Sequence, residues 1–256
     1  DGFMENGFVL GNKVLDDSQV DVLRSELDRV INLDQDSREP RPVRLANLSK
    51  DTESVVWQIV DIWKASEPYR ELVGSSRVAE EIAQLTEAEE LRVWHDQIQY
   101  KIATKGGVNM WHQDSPYWPS LQPKDAQVTA WIALDDIDAG NGCMSMVPGS
   151  HLWGNQIDFI HTIKEYDRMP ATFDEHALEV KLCPVRKGHV HFHHSLTWHG
   201  SHANTSERPR RAIAIHYMSE KTRYDASGNH IMKPLIKVAD GQKIVGDDFP
   251  QVWPPK

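Results

Sequence analysis

Thirteen histidines in a chain of 256 residues raise the question of metal binding, and His112-Gln113-Asp114 is the first place to look. In an extended segment alternate residues point to one face, so the His112 imidazole and the Asp114 carboxylate converge on a single ion. The pattern alone carries little weight, because 13 histidines and 22 aspartates in such a chain give about one such pair by chance. His199-Gly200-Ser201 supplies a second imidazole at the end of a β-rich segment, and Arg210 follows eleven residues later. Two imidazoles and one carboxylate leave three positions open on a metal, the donor set that suits a non-haem Fe(II) oxygenase. Such a site needs room for a bidentate co-substrate and for O2. A nearby guanidinium offers a planar fork for the far carboxylate of a 2-oxo diacid. Arg208 and Arg211 compete with Arg210 for that part. Arg211 faces the opposite way on a strand, where a surface ion pair is the ordinary fate. Ala212 and Ala214 share the face of Arg210 and leave space beside it.

Other clusters admit blander readings. His189, His191 and His193 alternate along one strand and form either a metal site of their own or packing around another centre. Trp111, Tyr117 and Trp118 read as core or as substrate contacts. Arg38, Arg41 and Arg44 lie in a proline-containing stretch and are a solvated loop or a guide for an anionic substrate. The aromatic-bearing segment 152–179, with Trp153, Phe159, Tyr166 and Phe173, is expected to form part of a lid over the metal.

The elements that must position these groups change character along the chain. Val20, Leu23, Leu27, Val30 and Ile31 recur at helical spacing behind Ser18, predicting an amphipathic helix over 18–33 with Ser18 as its N-cap. Residues 34–50 show no period and read as a loop. Helical spacing returns over 53–64 and 76–86. From Leu91 the pattern turns β-rich, with strands expected over 91–101, 128–134, 143–147, 178–182, 189–193 and 211–218. Few helical patterns separate them, which favours an antiparallel sandwich or barrel over parallel winding.

Composition narrows the function classes. The 28 basic and 38 acidic residues leave a formal charge of −10, which argues against a nucleic-acid partner. No apolar run approaches the ~18–20 residues of a membrane span. Cys143 and Cys183 are the only cysteines, too few for a disulfide framework, so a cytoplasmic setting is expected.

Taken in order, the motifs resemble the phytanoyl-CoA dioxygenase family of Fe(II)- and 2-oxoglutarate-dependent oxygenases. The matching text comprises Trp111 to Asp114 with Tyr117-Trp118, Ala130 to Asp136, Asn141-Gly142-Cys143 and Val147 to His151. His199-Gly200-Ser201 with Asn204, then Arg210-Arg211-Ala212, complete it. The resemblance implies a mainly β fold with N-terminal helices, a double-stranded β-helix (jelly roll, cupin-like). It implies a single oxygenase domain over 1–256, with a helical layer to about 90, a jelly-roll core over about 91–220 and a C-terminal extension over 221–256. It also implies that His112, Asp114 and His199 bind iron and act in catalysis, and that Arg210 pairs with 2-oxoglutarate. Ser201, Trp131 and Gln113 match positions beside that co-substrate, and Gln97 and Lys101 resemble positions facing the pocket.

The implied cofactors are Fe(II), 2-oxoglutarate and O2, the implied products succinate and CO2. Halogenating relatives carry a small residue where Asp114 stands, so the retained carboxylate implies hydroxylation. The implied substrate is a small metabolite, anionic if the arginine loop guides it. Two other classes remain open on the residues: a non-catalytic jelly-roll module that binds metal or ligand, and a cupin-type enzyme using the His189 trio without 2-oxoglutarate.

Overall fold

Alternation along the strands gives each sheet an outer and an inner face, and the inner face carries both an apolar packing layer and the polar residues of the site. The computed structural model describes residues 2–34, 36–48 and 54–255. Its helices are α1 (Gly2–Asn6), α2 (Asp17–Ile31), α3 (Glu67–Val73), α4 (Ser76–Thr86) and the short α5 (Ile157–Ile160). The strands that build the site are β1 (Phe8–Lys13), β2 (Arg44–Asn47), β3 (Val56–Val60), β4 (Leu91–Lys101), β5 (Asn109–His112), β6 (Gln127–Ala133), β7 (Met144–Met146), β8 (Lys181–Cys183), β9 (His189–His194), β10 (His199–Ser201), β11 (Arg210–Ser219) and β12 (Gln251–Trp253).

Two antiparallel sheets form the expected jelly roll. The larger runs β1-β9-β6-β11-β4-β3-β2, with β12 also on β4, and the smaller runs β8-β7-β10-β5. On β11, Ile213, Ile215 and Tyr217 face outward. They join Val20, Leu23 and Leu27 of α2, Tyr69 of α3 and Ile82 of α4 in one buried cluster. Arg210, Ala212, Ala214 and His216 alternate with them and face inward. The inward alanines pack with Trp131, Met144, Met146 and Cys183 between the sheets. Ala214 lies between Gln97 of β4 and Trp131 of β6, and both alanines are buried in this cluster, so the space expected beside Arg210 is filled by packing.

Several local expectations change. Helix α2 is capped by Asp16 rather than Ser18: its Oδ1 accepts from the Gln19 backbone at 2.8 Å, and the Gln19 side chain returns to the Asp16 backbone at 2.9 Å. The stretch read as a loop contains β2. Its residues 35, 49 and 50, and the start of the predicted helix at Glu53, lie outside the described residues. The rest of that helix is instead β3 followed by a single turn of 3-10 helix, Ile62–Lys64. Val56, Ile59 and Val60 fit either period, but β-branched residues gain from the pleated surface and β4 offers a complete edge, pairing Ile59 with Ile98. No helix among the described residues is long and apolar enough to cross a membrane.

Candidate active site

His112 ends β5 and His199 opens β10, and the register sets them directly opposite each other. Their ring centroids stand 4.1 Å apart. His112 Nδ1 donates to the Met110 carbonyl at 2.8 Å and His199 Nδ1 to the Thr197 carbonyl at 2.9 Å. A carbonyl only accepts, so each Nδ1 carries a proton and each Nε2 is the ring atom turned toward a metal.

Asp114 reaches them differently from the expected strand alternation. The strand stops at His112, and Asp114 takes a helical conformation (φ −73°, ψ −55°) ahead of a 3-10 turn, Ser115–Tyr117. That bend swings the carboxylate back toward both imidazoles. Oδ1 lies 3.4 Å from His199 Nε2 and 3.8 Å from His112 Nε2. Oδ2 is held from the other sheet, by His193 Nε2 at 3.2 Å and Thr129 Oγ1 at 3.0 Å. Burial opposes the charge, yet His199 and the bond from His193 hold the Asp114 carboxyl well below the usual range. Burial, with His199 alongside, pushes His112 down to about 4, so it is neutral and ready to ligate. The three donor atoms lie within 4.8 Å of one another, the one such group with metal-ligating geometry among the described residues. Burial opposes charge on His199, but Asp114 beside it raises the imidazole above its ordinary value, so a metal binding there would displace a proton. Two imidazoles with fixed Nδ1 protons and one ionised carboxylate fit a divalent iron with open positions.

Beside the triad, Arg210 and Lys101 face each other across the β11–β4 pair. Like charges directly opposite are unfavourable, and here both converge on one hydroxyl. Arg210 Nη2 donates to Ser201 Oγ at 2.9 Å and Lys101 Nζ to the same atom at 2.7 Å. Lys101 also donates to the Ser201 and His202 carbonyls. Arg210 is 1% exposed and Lys101 0%. Neither pairs with a carboxylate among the described residues. Burial, and then Arg210, push Lys101 well below its ordinary range, and burial takes Arg210 down to about 10.

A cavity of about 720 Å³ opens over the triad, with Gln97, Gln99 and Ser201 on its wall. Arg210, Lys101 and Trp131 back that wall rather than line it. The Arg210 guanidinium sits 5.3 Å over the Trp131 ring, and Trp131 Nε1 donates to Gln99 Oε1 at 3.1 Å. Gln113 turns away from the co-substrate wall. Its amide nitrogen donates to the Gly154 and Leu196 carbonyls, and its oxygen accepts from the Gln156 backbone, because the chain has left the strand at this point. Arg211 takes the ion pair expected of it, with Asp135. Of the three loop arginines Arg44 alone reaches the cavity. The aromatics of 152–179 pack with Trp111 and Trp198 in a cluster of their own, and the segment reaches the cavity through His161.

The His189 trio divides: His193 serves Asp114, His191 stacks on Phe8 and His189 is half-buried. Sequence reasoning missed Gln99, Thr129 and the part played by His193. Gln99 shares its strand face with Gln97 and Lys101, a signal that was available; the other two depend on which strands meet.

A family model, Phytanoyl-CoA dioxygenase (PhyH), matches residues 3–212. The chain belongs to the phytanoyl-CoA dioxygenase family. Within it, the chain is similar to the peroxisomal phytanoyl-CoA dioxygenase of Rattus norvegicus, 25% identical over 275 residues that cover 98% of this chain and 78% of the rat protein. A Caenorhabditis elegans phytanoyl-CoA dioxygenase domain-containing protein 1 homolog is 32% identical over 131 residues, 48% of this chain and 44% of the nematode protein. Among solved structures, the non-heme alpha ketoglutarate dependent carbocyclase SnoK superposes with a TM-score of 0.77 at 27% identity, covering 98% of this chain and 94% of SnoK. The epimerase SnoN, in a complex with Fe3+, alpha ketoglutarate and nogalamycin RO, shares the fold at 22% identity and a TM-score of 0.73, covering 98% of this chain and 96% of SnoN. As a phytanoyl-CoA dioxygenase family member, this chain is a non-haem iron- and 2-oxoglutarate-dependent oxygenase acting on a small molecule.

Proposed function

We propose that the protein hydroxylates an unactivated C–H bond of a small metabolite, with His112, Asp114 and His199 holding Fe(II) and Arg210 holding 2-oxoglutarate. The observation that carries this reading is the pair of buried cations, Lys101 and Arg210, meeting at Ser201 Oγ beside the triad. Buried charge without a partner is costly, and an arriving carboxylate relieves it. When bound, iron with 2-oxoglutarate supplies the activation of O2, coupled to loss of CO2 and formation of succinate.

The chain's own part is positional. Ser201 and Gln99 present the cavity side of the anion seat, while Arg210 and Lys101 provide the field behind it. His193 and Thr129 fix the carboxylate of Asp114, and that occupied third position supports hydroxylation rather than halogenation. Fixing His193 on Asp114 also takes it out of any separate cupin-type centre.

Residues 1–256 are read as one oxygenase domain, since the N-terminal helices share their buried cluster with the large sheet. Both cysteines are free and buried, which supports a reducing, cytoplasmic setting.

Anaerobic titration with Fe(II) and 2-oxoglutarate tests the reading through the visible metal-to-ligand charge-transfer band. The band is expected in the wild type, absent in His199→Ala and weakened in Arg210→Ala. No band in the wild type would overturn the proposal in favour of a binding module.

A further inference from the structure

The wall of the cavity away from Ser201 is built of imidazoles. His95 of β4 and His216 of β11 are direct cross-strand neighbours, with ring centroids 4.8 Å apart. His230 stacks on His95 at 5.5 Å, and Trp118 lies 4.7 Å from His216. All four line the same cavity as the triad.

Hydrogen bonds behind the wall decide what it offers in front. His95 Nδ1 lies 3.2 Å from the Asp96 carbonyl, so Nδ1 carries the proton and Nε2 a lone pair. Thr129 Oγ1 gives its one proton to Asp114 Oδ2, so it must accept from His216 Nδ1 at 2.7 Å. That leaves a lone pair on His216 Nε2 as well. Neither Nε2 has a protein partner among the described residues. His230 Nδ1 accepts from the Met232 backbone at 3.2 Å, which leaves its Nε2 as a donor. Burial holds His216 at about 4 and His95 well below the ordinary imidazole range, so both rings are neutral at pH 7.

The mouth is different in kind. Leu48, Met110, Tyr117 and Ile231 line the cavity and are 39–51% exposed. Apolar side chains standing open at a rim mark contact with an apolar body.

We infer that the substrate is an uncharged hydroxylated molecule whose neighbouring hydroxyls donate to His95 Nε2 and His216 Nε2 while its apolar skeleton rests on the rim. Two acceptors on rings whose centroids stand 4.8 Å apart match neighbouring O–H groups and repel a carboxylate or phosphate. Since Thr129 links His216 to Asp114, the hydroxyls would be registered against the metal. The inference rests on the oxygenase reading of the same cavity and narrows its substrate class.

The test uses three probes: a phenyl-substituted cyclohexane cis-diol, its dimethyl ether and the matching carboxylate. Binding is measured by calorimetry without O2, on protein loaded with Fe(II) and 2-oxoglutarate and on the metal-free protein. The diol should bind at least about tenfold more tightly than the ether, as loss of two hydrogen bonds to buried acceptors requires, and the carboxylate should bind worst. The gap should largely close in His95→Phe and survive in His95→Gln, whose amide oxygen still accepts. An ether as tight as the diol, a carboxylate tighter than both, no binding of any probe, or an undiminished gap in His95→Phe would each overturn the inference. The wild-type comparison stands even if His95→Phe fails to fold. Absence of the charge-transfer band would strike the oxygenase reading alone, because the diol–ether gap on metal-free protein is measured independently of it.

Discussion

His193 Nε2 stands 3.2 Å from Asp114 Oδ2 and so determines which oxygen of that carboxylate faces the two ligand imidazoles. With Oδ2 occupied by His193 and Thr129, Oδ1 is the atom left toward His112 and His199. The third ligand is thereby aimed before any metal arrives.

Removing that aim should weaken metal capture without touching a ligand. His193→Phe and Thr129→Val are each expected to lose roughly 10- to 100-fold in Co(II) or Fe(II) affinity, the usual cost of deleting a ligand's outer partner. Anaerobic metal titration checks this, and wild-type affinity in both variants would refute it.

Arg210→Ala should weaken 2-oxoglutarate roughly 10- to 100-fold, the worth of a buried positive charge directly behind the anion seat. Metal affinity should stay within about twofold of wild type. Arg210→Lys should recover little, since an ammonium cannot keep the bonds to both the Gly142 carbonyl and Ser201 Oγ that hold the charge behind the seat. The charge-transfer titration reads both effects, and an unchanged 2-oxoglutarate midpoint would remove Arg210 from the anion seat.

Gln113→Ala separates a tie from a pocket residue. The side chain is fully buried and makes three bonds to the backbone of Gly154, Gln156 and Leu196. Its loss should cost about 2–4 kcal/mol in denaturant unfolding and speed proteolysis near residue 154. A shifted 2-oxoglutarate affinity at unchanged stability would instead restore it to the co-substrate wall.

Stability should also carry a pH signature from Asp61 and Asp96, a buried carboxyl pair joined by the Asp96 backbone N–H to Asp61 Oδ1 at 3.3 Å. Burial pushes Asp61 up to about 7, with Lys64 opposing and Asp248 adding to the rise. Burial, reinforced by Asp61, raises Asp96 further. Between the ordinary carboxylate value near 4 and these raised values, the folded state binds more protons than the unfolded one, so stability falls as pH rises through that window. Asp61→Asn should flatten the slope and raise Tm by a few degrees at pH 7–8. Its left-handed backbone, φ 57°, tolerates Asn. An unchanged pH slope in thermal melts would contradict this.

What the sequence made legible was whatever depends on local spacing. The bounds of β4 and α4 follow from alternation and helical period, and the triad follows from motifs in order. Residues 56–60 were misread because Val56, Ile59 and Val60 satisfy a helical period as well, and only the open edge of β4 decides between them. Gln113 was misplaced because nothing local announces that the strand stops at His112. His193 showed an alternating face, but the neighbour on that face is Asp114, 79 residues away in sequence.

The origin of the three ligands has a mechanical consequence. His112 and His199 belong to the small sheet, whereas the carboxylate of Asp114 is tethered to β6 and β9 of the large one. An ion shared by all three is therefore a rivet through the sandwich, and loading it should slow amide exchange in strands of both sheets at once.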